Sequence, residues 1–259
     1  MGGPTGARAR DAGIGVLVGV FSGAFGVGGG LILVPVLVLL LGVAQKRAQA
    51  TSLVMIVLAA ATGGATYALA GSVSWGAAPA LIAGGLMGTW LGTSIVRRTP
   101  DRWLQLAFAL LLIIAAVRLA WPQPVVAAGN EPALSLPLLL GYLSAGAAMG
   151  LLSAFLGVGG GIILIPVLIA FFGFSQTLAA GTSLIVMVPI ALLGAIRLSR
   201  DGYTDWQRGL GFGVTAAIGA VIGANLALTV PTSLVQRAFA VVLVIAAAQL
   251  AWRARRPST

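Results

Sequence analysis

Two short glycine runs are the residues best placed to do chemistry. Gly26-Val27-Gly28-Gly29-Gly30 and Gly157-Val158-Gly159-Gly160-Gly161 each interrupt an apolar stretch. Each is preceded by a serine (Ser22, Ser153) and followed by a proline (Pro35, Pro166) and a Thr-Ser pair (Thr51-Ser52, Thr182-Ser183). Glycine in a helix interior costs roughly 1 kcal/mol relative to alanine, so three in succession break the helix. The chemistry this offers is recognition rather than catalysis. The half-helix after each break presents free N–H groups and a positive dipole end, which suits an anion. Glycines also let a ligand approach the backbone. Pro35 and Pro166 are predicted to fall in the first turn of those half-helices, where a missing N–H matters little.

Other residue types narrow the function by their absence. The 259 residues include no Cys and no His, so disulfides, thiolate or imidazole metal sites and imidazole catalysis are excluded. The only acids are Asp11, Asp101, Glu131, Asp201 and Asp205, none within an apolar span. Acid–base or metal-dependent chemistry has no pair of groups to run on. No Walker A motif is present, no cofactor is called for, and the expectation is a protein that is not an enzyme.

The elements that must position these residues follow from composition. Hydrophobic residues make up 59% of the chain and charged residues 8%, with a mean hydropathy of +1.07. A soluble domain is about a quarter charged, so this chain is read as an all-α polytopic membrane protein. The net charge of +10 marks cytoplasmic loops; no basic run interleaved with aromatics suggests nucleic acid. The partners expected are the lipid bilayer and a small anionic substrate. Residues 12–20 resemble a signal peptide's apolar core, but no cleavage-like stretch follows and they are read as retained.

Apolar spans are predicted over 50–70, 76–96, 103–121, 179–199, 209–230 and 236–252, each close to the length of about 20 residues that a crossing helix needs. Residues 12–43 and 138–174 carry the glycine breaks. Sliding the sequence until Gly28 falls on Gly159 superimposes the second half on the first without a gap. That shift aligns Ser22, Pro35, Thr51, Ser52, Trp75 and Phe108 with Ser153, Pro166, Thr182, Ser183, Trp206 and Phe239. The chain is therefore an internal duplication: 1–128 first repeat, 129–137 linker, 138–259 second repeat. If each glycine-broken segment is re-entrant and each half adds three spanning helices, the repeats are inverted. All fifteen basic residues except Arg118 and Arg237 then share one face. If the broken segments cross, that partition becomes nearly even, so the positive-inside rule favours inverted repeats with both termini cytoplasmic. A discontinuous helix pair in place of each hairpin gives the same sidedness.

The candidate substrate-binding set is Ser22, Gly28, Gly29, Gly30, Thr51, Ser52, Ser153, Gly159, Gly160, Gly161, Thr182 and Ser183. Thr51-Ser52 and Thr182-Ser183 are read as opening the next helix, either as caps or as hydroxyl donors to the cavity. Ser22 and Ser153 either bond back to their own helix or join the site. Asn225 is either interhelical glue or a substrate contact. Lys46 and Arg197 stand for charges along an anion path, against a snorkelling role for Arg197. Lone Gly-x-x-x-Gly pairs such as Gly88–Gly92 and Gly219–Gly223 read as helix packing.

The segment Gly19-Val20-Phe21-Ser22-Gly23-Ala24-Phe25-Gly26-Val27-Gly28-Gly29-Gly30, then Pro35 and Ala50-Thr51-Ser52-Leu53, resembles the sulfite exporter TauE/SafE family. Gly150 to Pro166 followed by Gly181-Thr182-Ser183-Leu184 is similar to that family's repeat. The second copy departs at Ala154 (Gly23 in the first) and Gly181 (Ala50), and Lys46-Arg47 meets Thr177-Leu178. The resemblance implies a bacterial or archaeal inner-membrane permease exporting sulfite, sulfoacetate or related organosulfonates. A secondary transporter for small anions is the function expected, with a passive anion channel of the same architecture as the alternative.

Overall fold

The computed structural model describes residues 4–95, 113, 134–156 and 159–255. The predicted span 103–121 lies outside them save Ile113, as do Gly157 and Val158. The described elements are helices: α1 Pro4–Phe25, α2 Gly30–Leu39, α3 Gln45–Leu69, α4 Ala78–Ile95, α5 Leu136–Leu156, α6 Gly161–Phe172, α7 Gln176–Arg200, α8 Trp206–Thr229 and α9 Thr232–Arg255. A helix pairs its interior backbone groups without water, as a bilayer demands. Four of them, α3, α5, α7 and α8, are long and apolar enough to cross a membrane. Large apolar side chains also face outward, among them Leu17, Trp90, Ile218 and Val241. The molecule is apolar on both its inner and outer surfaces, as a bundle solvated by lipid must be.

Each break makes a re-entrant hairpin. Leu37 and Gly42, at the far end of α2, line the same cavity as Arg47 at the start of α3, together with Arg208; Asp11 of α1 also neighbours Arg208. The start of α1 and the end of α2 thus share one face, and α2 runs back to it from the break. In the second repeat Phe172, at the end of α6, lies with its ring 4.6 Å from that of Tyr142 near the start of α5. A helix rises about 1.5 Å per residue, and a crossing needs about 20 residues. With ten and twelve, α2 and α6 are too short to cross.

The repeats are inverted. The start of α3 (Thr51) faces residues 202–206, which follow α7. The start of α7 (Thr182) bonds to Ser74, which follows α3. Equivalent helices therefore run in opposite directions. The halves also interlock: α1 lies parallel along α8 of the other repeat, and α4 along α5. Both seams are made of small residues. A Cβ at Gly19 or Gly23 would collide with the carbonyl oxygen of Ala216 or Ala220, and one at Gly88 or Gly150 with that of Ala147 or Gly85. Backbones approach this closely only where side chains are absent, the usual means of holding helices together in lipid. Gly88–Gly92 and Gly219–Gly223 both lie in these seams. Thr89 adds a hydroxyl bond of 3.2 Å to the Gly150 carbonyl.

Two local expectations are corrected. Thr51-Ser52 and Thr182-Ser183 do not open helices; α3 and α7 start earlier, at Gln45 and Gln176. Gln45, Lys46, Arg47 and Gln49 continue α3 outward past the apolar run, and the cap of α7 is Ser175, whose hydroxyl accepts from Leu178 N–H at 3.2 Å. Pro35 and Pro166 sit at the sixth position of α2 and α6 rather than in the first turn, because each helix begins at the last glycine of its run. Each proline lacks the N–H that would bond four residues back, leaving the Leu31 and Ile162 carbonyls without that partner. Helix α5 takes in Leu136 and Pro137, at the end of the segment read as the linker.

Candidate functional site

The two breaks meet at mid-depth. Gly26, Gly28, Gly29, Gly159 and Gly160 all take positive φ, a region that costs other residues about 1–3 kcal/mol. Only glycine therefore lets both chains turn here without strain. The Cα–H faces of Gly28 and Gly159 point at the same two side chains, Met187 and Ile56, and the Gly161 face lies against the Gly26 carbonyl. Ile56 and Met187 are each the twelfth of 25 residues in their helices, and the shift that lays Gly28 on Gly159 lays one on the other. The pseudo-two-fold of the molecule runs between them. Neither was singled out from sequence, although the duplication alone pairs them.

The helices leaving the breaks have no side-chain caps. Gly29 and Gly160 are left-handed N-caps without a side chain to offer. The first N–H groups of α2 and α6, at Gly30, Leu31, Gly161 and Ile162, have no intrahelical acceptor. Leaving a buried donor unmade costs about 1–3 kcal/mol, so groups held this way suit a ligand that accepts hydrogen bonds. Ser22, one turn before the first break, is fully buried and its Oγ has no hydrogen-bond partner.

The other candidate residues divide clearly. Ser183 belongs to the junction: its hydroxyl donates 3.1 Å to the Gly26 carbonyl of the opposite repeat and lies 3.7 Å from Met187 Sδ. Ser52, its equivalent, donates to its own helix at Gln49 O, 2.8 Å. Ser153 is buried. Thr182 Oγ1 accepts from Ser74 N–H at 2.9 Å, away from the breaks. Thr51, 2% exposed, lines a cavity of about 610 Å³ at the basic end of the molecule, shared with Arg47, Tyr203, Asp205 and Arg208. Lys46 stands at that end, its Nζ 5.5 Å above the Tyr203 ring.

Two polar candidates are not part of the junction. Asn225 is exposed and donates to Val221 O of its own helix at 2.8 Å. It is neither interhelical glue nor a contact to the breaks, because it projects from α8 on the side away from Gly219 and Gly223. Arg197 donates to Trp90 O at 2.8 Å and sits 5.8 Å over the Trp90 ring, a peripheral anchor on α4. Sequence reading left Arg47 and Arg208 out of the candidate set. The available signal was spacing: Arg47 stands one helical turn before Thr51 and so shares its helix face.

Paired half-helices meeting at the centre of an inverted repeat define a polytopic membrane transporter. The family model for the sulfite exporter TauE/SafE matches residues 3–119 and 142–259, and the chain belongs to that family. A probable membrane transporter protein of Xylella fastidiosa (strain Temecula1) is 27% identical over 244 residues, 93% of this chain and 94% of its own length. The probable membrane transporter protein MJ0441 of Methanocaldococcus jannaschii is 25% identical, with 73% of each chain covered. The Bacillus subtilis protein YunE, also a probable membrane transporter, is 34% identical over 108 residues, 42% of this chain and 40% of its own. No solved structure matches the chain.

Proposed function

We propose that this protein is a secondary transporter that exports small oxyanions, sulfite or an organosulfonate, across the cytoplasmic membrane, with both termini in the cytoplasm. The observation that carries the reading is the convergence of the two glycine breaks on Ile56 and Met187. It brings two uncapped helix N-termini to one point at mid-depth, with no carboxylate among the residues described there. Each helix end favours an anion by about 0.3–2 kcal/mol, more where water is excluded. A cation meets the same ends as repulsive. The basic end of the molecule, holding Lys46, Arg47 and Arg208, is the cytoplasmic side by the positive-inside rule. An inside-negative potential then favours efflux of a monovalent anion by about 2.3 kcal/mol per 100 mV.

Burial of the break glycines favours a carrier over a passive channel, since an open pore would leave them in contact with water. The test is flux of labelled sulfite and methanesulfonate in proteoliposomes, against a cation control. Saturable anion flux below about 10³ s⁻¹ per protein is expected of a carrier. Equal movement of cations overturns the anion site, and flux far above that rate makes the protein a channel.

A further inference from the structure

The duplication gives each wall of the 610 Å³ cavity a counterpart at the opposite end of the molecule, and the two ends differ. At the basic end Arg47 of α3 and Arg208 of α8 line a common space with Thr51. Their counterparts are Leu178 and Ala77, each 1% exposed, beside Thr182 and Ser74, both fully buried. The Ser74 N–H donates to Thr182 Oγ1 at 2.9 Å. The Ser72 carbonyl lies so close to Gly181 that a Cβ there would collide with it. One end is an open, cationic vestibule; the other is an apolar seal in which Thr182, the counterpart of Thr51, is already bonded.

We propose that the basic-end vestibule is the capture site for a small monovalent oxyanion, held by Arg47 and Arg208 above Thr51, and that the Ser74–Thr182 contact is the closed gate at the far end. The proposal rests on the anion-carrier reading. Guanidinium groups match the planar edge of a sulfonate or sulfite with paired hydrogen bonds. Two of them on helices of different repeats can close on one ligand. Asp205, the carboxylate that lines the cavity, accepts the Arg208 backbone N–H at 2.9 Å as the cap of α8, and Asp11 neighbours Arg208 outside it. Arg47 and Arg208 outnumber Asp205 among the residues lining the cavity. At the far end the positions equivalent to Arg47 and Arg208 are the apolar Leu178 and Ala77, so among the described residues an anion captured at the basic end meets no matching pair of guanidinium groups there.

The test is Arg47→Gln and Arg208→Gln in proteoliposomes, with methanesulfonate presented to each face in turn. Each variant is expected to raise the half-saturating concentration at the basic end by about tenfold, the loss of a charged hydrogen bond. Maximal rate and half-saturation at the far end should stay nearly unchanged, and Arg47→Lys should restore part of the affinity. The chain has no cysteine, so single thiols report the gate. Thr51 lines the cavity though it is only 2% exposed, so a membrane-impermeant thiol reagent should modify Thr51→Cys slowly from the basic end and leave Thr182→Cys unmodified from the far end in the absence of substrate. Unchanged half-saturation in both Arg→Gln variants, or equal labelling of the two thiols, overturns the proposal. If the wild type moves no sulfonate at all, it is the carrier reading that fails, and the thiol pattern still decides the gate.

Discussion

The two interlocking seams and the central junction are both glycine-rich, yet they are built to opposite ends. In the α1–α8 and α4–α5 seams, the atoms facing Gly19, Gly23, Gly88, Gly150, Gly219 and Gly223 are backbone: the Ala216 Cα lies 2.7 Å from where a Gly19 Cβ would stand. Nothing there can yield without separating two helices. At the junction Gly28 and Gly159 face the thioether of Met187 and the side chain of Ile56, which can change rotamer, whereas Gly26, Gly160 and Gly161 also face backbone, at Ala180 Cα, Met149 O and Gly26 O. Glycine in the seams fixes the distance between helices. Gly28 and Gly159 in the junction leave room that the flexible Met187 side chain partly fills.

That contrast is sharpest at Gly19. Gly19→Val places a branched side chain against the α8 backbone, and overpacking of this kind is expected to destabilise the protein by about 2–3 kcal/mol. Thermal unfolding in detergent and the yield of monodisperse protein measure it. Stability equal to the wild type would show that the seam is loose. Gly161→Ala probes the junction instead. Gly161 has ordinary helical φ, so alanine brings no φ strain, and at the first position of α6 it gains less than the interior helix-propensity difference of about 1 kcal/mol. Its methyl group would sit 2.7 Å from the Gly26 carbonyl and 3.0 Å from Ser183 Oγ. The expected result is a loss of stability of about 1–2 kcal/mol, since the Gly26 carbonyl must shift, with anion flux reduced about tenfold, a barrier increase of about 1.4 kcal/mol. Undiminished flux would move the ligand away from the breaks. The smallest effect is expected for Asn225→Leu, on the lipid-facing side of α8, which should change stability by no more than about 0.5 kcal/mol. A large loss of flux there would return Asn225 to the transport path.

How much of this was legible depended on whether the signal was local. Breaks at Gly26–Gly30 and the duplication could be read directly, since three glycines interrupt a helix whatever surrounds them and Ser, Pro and Trp recur in register. Inversion followed from charge. The start of α3 was missed because a hydropathy pattern ends where the chain leaves the lipid, whereas the helix continues through Lys46 and Arg47 into water. Pro35 was misplaced for a related reason: the half-helix starts directly at its N-cap glycine, so the proline falls in its middle. The bond from Ser183 to Gly26 O joins opposite repeats and leaves no trace in either local segment. Asn225 was open to a geometric reading. Two positions past Gly223 is about 200° around a helix, which turns it away from the seam.

The exchange of helices between repeats also bears on how the chain is made. Gly19 and Ala216, partners in the α1–α8 seam, lie near opposite ends of the sequence. At translation rates of about 5–20 residues per second, α1 waits roughly 10–40 s before the helix that covers its glycine face leaves the ribosome. The α4–α5 seam closes much sooner. Until α8 is inserted, Gly15, Gly19 and Gly23 form an uncovered stripe in the bilayer, and the first half cannot complete itself from its own residues. Assembly is therefore a late event for the whole polypeptide, and a nascent chain stalled before α8 presents quality-control proteases with an unfinished helix face.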